Sequence, residues 1–278
     1  MRNDMPALGR LHTENIFRAR RLIVPYLLRP LSSIGLCLTV NDRKLAGLKD
    51  RHAGRRCFII GNGPSLKITD LDRLHGEITF ASNKIYLAFD QTEWRPTYYC
   101  VEDTLVVKQH AGALGKLDHV IKFFPFYMKK YIPPLKNALY FYLQHEDFYP
   151  HPPRFGKNAC HKLYWGCTVT YTLIQLAFYM GIRTMFLIGV DFDYTIPDGS
   201  HDTHLSMKVY ESSGEKNYFH PEYMTPGELN FIPNLFYHEK AFVAARKEIE
   251  QCGGQIFNAT RGGKLEVFTR VDIDSLFR

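Results

Sequence analysis

The amino-acid sequence predicts an α/β protein built on a mostly parallel, doubly wound sheet, with helices on both faces and long loops at the carboxyl edge. From residue 57 onward, short β-rich runs alternate with helical patterns, which is typical of a parallel sheet wrapped by helices. A buried helix, a glycine and a strand also follow one another within residues 168–188, which is the usual αβ connection of such sheets.

Seven short β-rich runs are the predicted strands of this sheet. Because helical patterns separate them, we expect their pairing to be mostly parallel and the architecture to be Rossmann-like. They cover residues 57–60, 78–81, 98–101, 119–123, 138–142, 184–188 and 255–258.

Two helices are indicated by their apolar patterns and by the glycines that follow them. Residues 168–180 are apolar around most of the helix circumference and end at Gly181, so we expect a buried helix with a glycine C-cap. Residues 237–251 predict an amphipathic helix that ends at Gly253 and Gly254.

Two long segments lack a clear period and are rich in proline, histidine and aromatic residues. They cover residues 143–165 and 195–235. Aperiodic segments of this length in a compact domain are usually functional, so we expect long loops over one edge of the sheet.

The bulk composition indicates an ordinary folded protein. Its 278 residues are 45% hydrophobic and 23% charged, which suits one large domain and excludes wholesale disorder. The six cysteines lie far apart without a CxxC pair, which is typical of a reduced cytoplasmic protein. The leucine-rich residues 22–38 are interrupted by Pro25, Arg29 and Pro30, so neither a signal peptide nor a transmembrane helix is predicted.

The net charge of +7 is concentrated near the N-terminus, where arginines crowd the first fifth of the chain. We therefore divide the chain into a basic amphipathic segment, residues 1–50, and a catalytic domain, residues 51–278. The segment either contacts an anionic membrane peripherally at the inner face of the cytoplasmic membrane, or packs on its own domain or on a partner subunit of a homo-oligomer. Nucleic acid is not expected as a partner, because no zinc-finger spacing, RNP-like motif or basic zipper helix is present.

A glycine-rich turn follows the first predicted strand. The sequence Gly61-Asn62-Gly63-Pro64-Ser65 comes directly after the apolar run. In open α/β sheets, ligands bind at the carboxyl ends of the strands, and glycines there let backbone N–H groups approach a phosphate. The turn is neither a Walker A loop nor a GxGxxG fingerprint, and the same residues also suit a turn that binds no ligand.

Polar side chains also follow the second and third predicted strands. Asn83 follows the second run, and Glu102 and Asp103 follow the third. In a parallel sheet these side chains lie at the same edge as Asn62, so we expect three strand ends to converge on one crevice.

An acidic segment follows the strand predicted at residues 184–188. Asp191 and Asp193 form an Asp-x-Asp pair, which can hold Mg²⁺ or Mn²⁺ for a nucleotide diphosphate. Further carboxylates and imidazoles follow at Asp198, His201, Asp202 and His204. A hydrated acidic loop fits the same pattern, because none of the spacings is diagnostic of a metal site.

His220 lies among aromatic residues in the stretch KNYFHPEY. Histidine is the usual general base near neutral pH, which makes His220 a candidate for that role. A bystander histidine in a loop is the alternative.

Several of these stretches together resemble known families. IIGNGPSLKITDLDRL, SNKIY and GCTVTYTLIQLAFYMGIRTMFLIGVDF resemble the bacterial CMP-sialic-acid-dependent sialyltransferases, in which a GNGPSL loop opens the nucleotide site. With RPTYYCVED and NATRGGKLEVF, the chain looks more like the broader MptE-like superfamily, over about residues 55–270. That superfamily includes an archaeal 6-hydroxymethylpterin diphosphokinase and the central domain of Maf flagellin-glycosylation proteins. The resemblance implies a sialyltransferase-type sheet and a nucleotide-binding domain.

The resemblance also implies roles for residues at the first two strand ends. Asn62 and Ser65, in the turn with Gly61 and Gly63, would contact the CMP phosphate or ribose. Asn83 would hold the base or the sugar.

Residues further along the chain match other functional positions of these families. Asp103 stands where the sialyltransferases place an asparagine that contacts the donor. Gly166 and Cys167 match the segment whose backbone contacts the nucleotide. Asp191, at the end of the strand predicted at residues 184–188, is a further nucleotide-binding candidate. His220 falls where the family has its general base.

The chain departs from the sialyltransferases at their two catalytic tyrosines. Asp193 stands at the first position, Tyr194 comes one residue late, and the second position falls near residues 200–201. An aspartate that faces a phosphate needs a cation between them. Either a metal supports the leaving group, or a nearby tyrosine takes the role, namely Tyr194, Tyr210 or Tyr218.

Taken together, the sequence predicts an inverting glycosyltransferase that moves a sialic-acid-like nonulosonic acid from a CMP-activated donor to a glycan or protein acceptor. His220 would take the acceptor proton, and no cofactor is required, with Mg²⁺ as an optional addition. The alternative is Mg²⁺-dependent pyrophosphoryl transfer from ATP to a pterin alcohol, with Asp103, Asp191 and Asp193 as metal ligands. A third interpretation is a non-catalytic nucleotide-binding or scaffold protein held at the membrane by residues 1–50.

Overall fold

Strands and helices alternate through the protein as the sequence predicts. The computed structural model describes residues 39–146, 150–195, 201–202 and 208–278. The strands are β1 (Arg56–Ile60), β2 (Ile78–Ser82), β3 (Tyr98–Cys100), β4 (Ile121–Pro125), β5 (Ala138–Phe141), β6 (Leu143–Gln144), β7 (Leu163–Tyr164), β8 (Thr184–Ile188), β9 (His201–Asp202), β10 (Lys208–Glu211), β11 (Leu229–Phe231), β12 (Gln255–Asn258) and β13 (Thr269–Arg270). The helices are α1 (Val40–Ala46), α2 (Ile68–Asp72), α3 (Thr104–His110), α4 (Val169–Tyr179) and α5 (Leu235–Gln251).

Eight of the strands form one sheet in the order β13-β12-β8-β1-β2-β3-β4-β5. Its seven pairings are all parallel, so the predicted α/β fold class is confirmed. Each of the seven predicted runs is a strand of this sheet, with ends within two residues of the prediction. The strand order reverses between β1 and β8, and ligands of open α/β sheets bind at such a switch point.

The sheet is buried on both faces. In β1, Cys57 and Ile59 face one apolar cluster while Phe58 and Ile60 face the other, because successive side chains of a strand point to opposite sides. Helices α1, α4 and α5 contribute to the first cluster, and α2 and α3 contribute to the second. The sheet is therefore doubly wound.

Helix α4 confirms the predicted buried helix and its glycine stop. The Thr168 side chain caps its first turn by accepting from Thr170 N–H, and residues 170–179 are all buried. Gly181 follows with φ +87°, a left-handed conformation that favours glycine. Helix α5 begins two residues before the predicted start, because the Asn234 side chain accepts from Tyr237 N–H.

The segments predicted as loops contain short strands. β6 pairs in parallel with β7, and β9, β10 and β11 form a separate three-stranded antiparallel sheet. These strands are only two to four residues long, so their sequences carry too few residues for a period to show.

The N-terminal prediction falls largely on residues 1–38, which lie outside the described part of the chain. Helix α1 packs on the sheet through Leu45, and the Asn41 side chain exchanges hydrogen bonds with the Tyr140 backbone at 2.8 and 2.9 Å. The packed domain thus begins before the boundary predicted at residue 50. Within the described residues, no helix is long and apolar enough to cross a membrane.

The fully buried Gln175 anchors the chain that approaches α4. Its Oε1 accepts from Gly156 N–H at 2.7 Å and Tyr164 N–H at 2.9 Å, and its Nε2 donates to Tyr164 O at 2.8 Å. One side chain of α4 thereby satisfies three backbone groups of residues 156–164 that would otherwise be buried without partners.

Replacing Gln175 by alanine should destabilise the protein by about 2–4 kcal/mol, because it leaves buried backbone groups unpaired and opens a cavity. Urea unfolding measures the change. Gln251→Ala, at the exposed end of α5, is the control and should shift stability by less than about 0.5 kcal/mol. Equal losses in the two variants would contradict the anchoring role.

Candidate functional site

The glycine-rich turn after β1 packs directly against the turn after β8. Gly61 N–H donates to Ile188 O and Gly63 N–H donates to Gly189 O, both at 2.8 Å. A Cβ at Gly61 would lie 2.2 Å from Gly189 O, and a Cβ at Gly63 would lie 1.9 Å from Asp191 Oδ2. Close packing therefore requires both glycines. Their N–H groups bond within the protein, whereas the sequence interpretation had them approach a phosphate.

Asp191 holds the far end of this turn. Its carboxylate accepts from Ser65 N–H at 3.2 Å and from the Ser65 hydroxyl at 2.8 Å, and its backbone oxygen accepts from Lys264 N–H at 2.7 Å. Asp191 is 8% exposed, and burial raises its pKa although the Ser65 bonds oppose the rise. Because the Ser65 hydroxyl donates its proton to Asp191, it can only accept a hydrogen bond from a ligand.

Asn62 lies between these contacts with half of its amide unsatisfied. The residue is 8% exposed, and its Nδ2 donates to Ser82 O at 3.2 Å and to Ser82 Oγ at 3.3 Å. Because a carbonyl oxygen can only accept, the contact with Ser82 O assigns the nitrogen end of the amide. Asn62 Oδ1 is buried and has no donor within the described part of the chain. It can accept from an N–H or O–H group of a ligand, but it does not suit a phosphate oxygen.

Asn83, at the end of the neighbouring strand, presents a second unsatisfied amide oxygen. Its φ is +50°, and the Tyr99 hydroxyl donates to its backbone oxygen at 2.7 Å. Its side-chain amide lies beside the Tyr223 hydroxyl, while Oδ1 is buried without a partner among the described residues. The predicted convergence of Asn62 and Asn83 at one edge of the sheet thus produces two buried acceptors on adjacent strand ends.

Residues 208–232 lie over these strand ends and are called the aromatic lid below. Phe219 N–H donates to Asn62 O at 3.0 Å, and Lys84 Nζ donates to Tyr223 O at 2.8 Å. The lid therefore touches the ends of both β1 and β2, in agreement with the prediction of a loop over one edge of the sheet.

A buried charge cluster holds the lid in place. Lys84 is 2% exposed, and its Nζ donates to the Glu228 carboxylate at 2.9 and 3.0 Å. His110 Nε2 lies 2.5 Å from Glu228 Oε1. Burial lowers the pKa of Lys84; burial also opposes the charge of Glu228, but bonds from Thr225 and Lys84 hold its pKa below the usual range. The Lys84–Glu228 salt bridge ties the lid to the sheet.

His220 lies in the aromatic lid, next to the residue that bonds Asn62. Its Nδ1 accepts from Glu222 N–H at 3.2 Å, and its ring contacts that of Phe219 with centroids 5.9 Å apart. A neutral imidazole whose Nδ1 accepts carries its proton on Nε2, so His220 has a donor at Nε2. This contact favours a donor role over the predicted base role.

The three tyrosines predicted to assist the leaving group lie close together, with Tyr210 and Tyr218 inside the lid and Tyr194 against Tyr218. The Tyr194 and Tyr218 rings are 6.3 Å apart, Tyr218 stacks on Tyr223 at 3.9 Å, and Tyr210 belongs to the same apolar cluster. Burial raises the pKa of Tyr194 to about 12, with a further contribution from the nearby charge of Asp191. Tyr194 therefore stays protonated and can donate.

Asp103 has a structural contact that the sequence interpretation did not include. Its Oδ1 accepts from Leu105 N–H at 2.7 Å and from Val106 N–H at 3.3 Å, which caps α3. Burial raises its pKa, while these two bonds and nearby Lys84 oppose the rise. The predicted catalytic role of Asp103 stays a prediction, with one of its oxygens engaged in the cap.

The preceding residue, Glu102, has the more perturbed carboxyl group. Its Oε2 accepts from the Thr172 hydroxyl of α4 at 2.7 Å. Burial raises its pKa to about 7, the Thr172 bond opposes the rise, and the neighbouring charge of Asp103 adds to it. A carboxyl group with a pKa near neutrality at a strand end suits proton transfer.

Gly166 and Cys167 lead into α4 as predicted. A Cβ at Gly166 would lie 2.5 Å from the Tyr171 ring, so packing requires the glycine. Cys167 has φ +63°, and the buried His238 of α5 hydrogen-bonds its backbone. Burial lowers the pKa of His238 to about 4, so this contact is made by a neutral ring.

The metal predicted at Asp191 and Asp193 finds little support in their contacts. Asp191 bonds Ser65, and Asp193 Oδ1 pairs with Lys264 Nζ at 3.0 Å. In the ranges that the structure describes, no group of three His, Cys, Asp or Glu side chains is placed to hold a metal ion. Asp198 and His204 lie outside those ranges, as do the side chains of His201 and Asp202, so their part in the prediction stays open.

Sequence reasoning missed the charged residues that hold the lid. Lys84 directly follows Asn83, and a lysine at a buried strand end was a usable signal. Glu228 and His110 carried no such signal in the sequence, because they meet Lys84 only in the folded chain.

Comparison with known proteins identifies one family. Residues 38–197 match the family model described as "MptE-like: 6-hydroxymethylpterin diphosphokinase MptE-like". No curated protein sequence matches the chain significantly.

A glycosyltransferase is among the solved structures that resemble the chain in part. It is the "Structure of MAf glycosyltransferase from Magnetospirillum magneticum AMB-1", with 15% sequence identity and a TM-score of 0.47 over 83% of this chain. The chain covers 37% of that protein's length. A likeness at this level assigns no activity.

Gly63→Ala should destabilise the protein by about 1–3 kcal/mol, because the new methyl group overlaps the Asp191 carboxylate. Gly115→Ala is the matched control, since a Cβ there meets no atom within 4 Å. Chemical unfolding of both variants measures the difference. A Gly63→Ala protein as stable as the control would contradict the packing role of the turn.

Glu102 should make the protein less stable as the pH rises. Its pKa is raised from 4.5 in the unfolded chain to about 7, so its contribution is fully present below pH 4.5 and is lost as the pH rises through 7. Glu102→Gln removes this loss, which amounts to at most about 3 kcal/mol. Unfolding free energies of both proteins between pH 5 and pH 8 test this. Exposed Glu93→Gln is the control, and parallel curves for wild type and Glu102→Gln would refute the shift.

Proposed function

The chain belongs to the MptE-like family, and on this premise we propose that it is a glycosyltransferase that moves a nonulosonic acid or a related acidic sugar from a CMP-activated donor to a hydroxyl group of a glycan or protein. One observation carries the proposal, namely the two buried and unsatisfied amide oxygens of Asn62 and Asn83 at adjacent strand ends. A buried acceptor without a donor costs about 1–3 kcal/mol, so a ligand with N–H or O–H groups there stabilises both.

A cytidine nucleotide supplies donors of the required kind. The ribose has two hydroxyl groups and cytosine has an exocyclic amine, whereas a phosphate has only acceptors when ionised. We therefore place the nucleoside, and not the phosphate, against Asn62 and Asn83. This refines the prediction from sequence, which left phosphate and ribose open for Asn62.

The departing CMP phosphate needs donors that are already in place. Tyr194 keeps its proton at neutral pH and lies close to Asp191, and the lid residue His220 has a donor at Nε2. The first turn of α4 adds the partial positive charge of a helix N-terminus beside Gly166 and Cys167. Donors that meet charge as it develops on the leaving group lower the barrier without reorganisation.

The acceptor hydroxyl loses its proton as it attacks the anomeric carbon. The sugar–phosphate bond breaks, and CMP leaves with the electron pair. Glu102 suits the role of proton acceptor better than His220, because Nδ1 of His220 is occupied by Glu222 N–H and Nε2 already carries a proton. In the sequence prediction this role belonged to His220.

Magnesium-dependent pyrophosphoryl transfer to a pterin alcohol remains the second candidate, because the family model carries the name of that activity. It requires carboxylates that bind a cation. Asp191 is hydrogen-bonded by Ser65, Asp193 pairs with Lys264, and Asp103 caps α3. These contacts suit the metal-dependent reaction less well than the CMP-dependent one.

Other parts of the prediction also stay proposals. They are the glycan or protein acceptor, peripheral contact of the basic N-terminal segment with an anionic membrane, a homo-oligomer, and a cytoplasmic location.

The function is tested by measuring nucleotide release from panels of CMP-sugars and UDP-sugars and from ATP with 6-hydroxymethylpterin and Mg²⁺. We expect turnover with a CMP-sugar. Asn83→Gly should weaken CMP binding by about 10-fold in calorimetry, since it keeps the positive φ but removes the acceptor oxygen.

Asn137→Gly is the matched control for this variant. Asn137 also has a positive φ of +54°, and it precedes β5 at the opposite edge of the sheet, where Lys122 N–H bonds its backbone oxygen. CMP should bind this variant as it binds the wild type. Turnover with ATP and the pterin alone, or equal CMP affinity for Asn83→Gly and Asn137→Gly, would contradict the proposal.

A further inference from the structure

Three aromatic rings form a continuous group beyond the ends of β3 and β4. The rings of His145 and Trp165 have centroids 4.9 Å apart with an interplanar angle of 31°, and Tyr127 lies 5.7 Å from His145. His145 is exposed, and Trp165 and Tyr127 are part-exposed. This group therefore offers aromatic surface to a ligand, and the glycosyl transfer proposed above does not yet use it.

The Glu102 carboxyl group lies close to this aromatic group, because its charge contributes to raising the pKa of the Tyr127 hydroxyl. The Tyr127 hydroxyl donates to Glu102 O at 2.9 Å, which joins the rings to the end of β3. Glu102 Oε2 accepts from Thr172, which is fully buried in α4, and the Cys167 thiol is close enough to feel the Glu102 charge. Trp165 packs on His145 and His145 packs on Tyr127, so the indole is joined to the residue beside the Glu102 carboxyl group through a continuous set of ring contacts.

We propose that Trp165, His145 and Glu102 form a subsite for a pyranose ring, in which the ring packs on the Trp165 indole and one of its hydroxyl groups donates to Glu102. This inference rests on the proposed function and specifies where the sugar lies in that site.

The chemistry of the group fits a sugar. A pyranose has one face rich in C–H groups, which packs on an aromatic face, and an edge of hydroxyl groups that need polar partners. Ligand sites commonly combine aromatic walls with a small number of fixed polar groups of this kind. Glu102 has one oxygen held by Thr172, which orients the carboxyl group and leaves the other oxygen for a hydroxyl.

The position of the aromatic group relative to the proposed nucleotide site also fits a sugar. β3 pairs with β2, whose end carries Asn83, so Glu102 lies one strand beyond the oxygens assigned to the nucleoside. A sugar on Trp165 would therefore lie beside the nucleotide. It belongs either to the donor or to the acceptor, and both sources present the same ring chemistry.

Tryptophan fluorescence provides a direct test. The chain has two tryptophans, and Trp94 is 1% exposed in the core, so a ligand that changes emission without unfolding acts on Trp165. Wild-type protein is titrated with CMP, with CMP-sialic acid, with lactose and with 6-hydroxymethylpterin. We expect an emission change with CMP-sialic acid if the donor sugar fills the subsite, or with lactose if the acceptor does, and none with CMP alone.

Two pairs of variants distinguish a specific loss of sugar binding from a general loss of protein stability. Trp165→Leu should weaken binding of the active sugar by about 10-fold in calorimetry, whereas Tyr164→Leu should not, because the Tyr164 ring contacts Arg154 and Lys162 and not His145. Glu102→Gln keeps an acceptor for Thr172 and should weaken sugar binding more than CMP binding, and exposed Glu93→Gln should change neither.

Sugar binding at Trp165 and nucleotide binding at Asn83 can fail independently in these experiments. If CMP binds and depends on Asn83 but neither sugar affects Trp165, the subsite is overturned and the nucleotide assignment stands. If the sugar signal is present but CMP does not bind, the subsite stands and the proposed function fails. Quenching by the pterin with no response to either sugar would overturn the pyranose assignment.

Discussion

The site depends on the close approach of two turns, one that follows β1 and one that follows β8. Gly61 and Gly63 let the first turn lie against Gly189, and the carboxylate of Asp191 then hydrogen-bonds Ser65 at its far end. A side chain at either of the first two glycines would meet backbone or carboxylate atoms at under 2.5 Å. The packing fixes the backbone on both sides of Asn62 and thereby the direction of its amide.

The aromatic lid contacts the strand end that carries this amide. The buried ion pair of Lys84 and Glu228 holds the lid against β2, and Phe219 N–H bonds Asn62 O directly. Two charges without water are costly, and their mutual contact and the bond to Tyr223 O offset that cost. The oxygens of Asn62 and Asn83 are buried without a partner among the described residues, so a donor group there gains more than it would at an open surface.

The sheet could be predicted from the sequence because its strands are short apolar runs separated by helices, and Gly181 marks the end of α4. The roles of residues in the site were harder to predict. Glycines at a strand end look the same whether they receive a phosphate or another turn, and the partner of Ser65 is 126 residues away. For the same reason Glu228 could not be connected with Lys84 before the fold placed them together.

The proposed function requires that Asn62 Oδ1 and Asn83 Oδ1 receive the donor groups of a cytidine nucleotide. A crystal structure of the protein with CMP tests it most directly. We expect ribose hydroxyl groups or the cytosine amine within about 3.2 Å of both oxygens, with the phosphate toward Tyr194 and the start of α4. A nucleotide bound elsewhere, or one whose phosphate lies against the two asparagines, would contradict the claim.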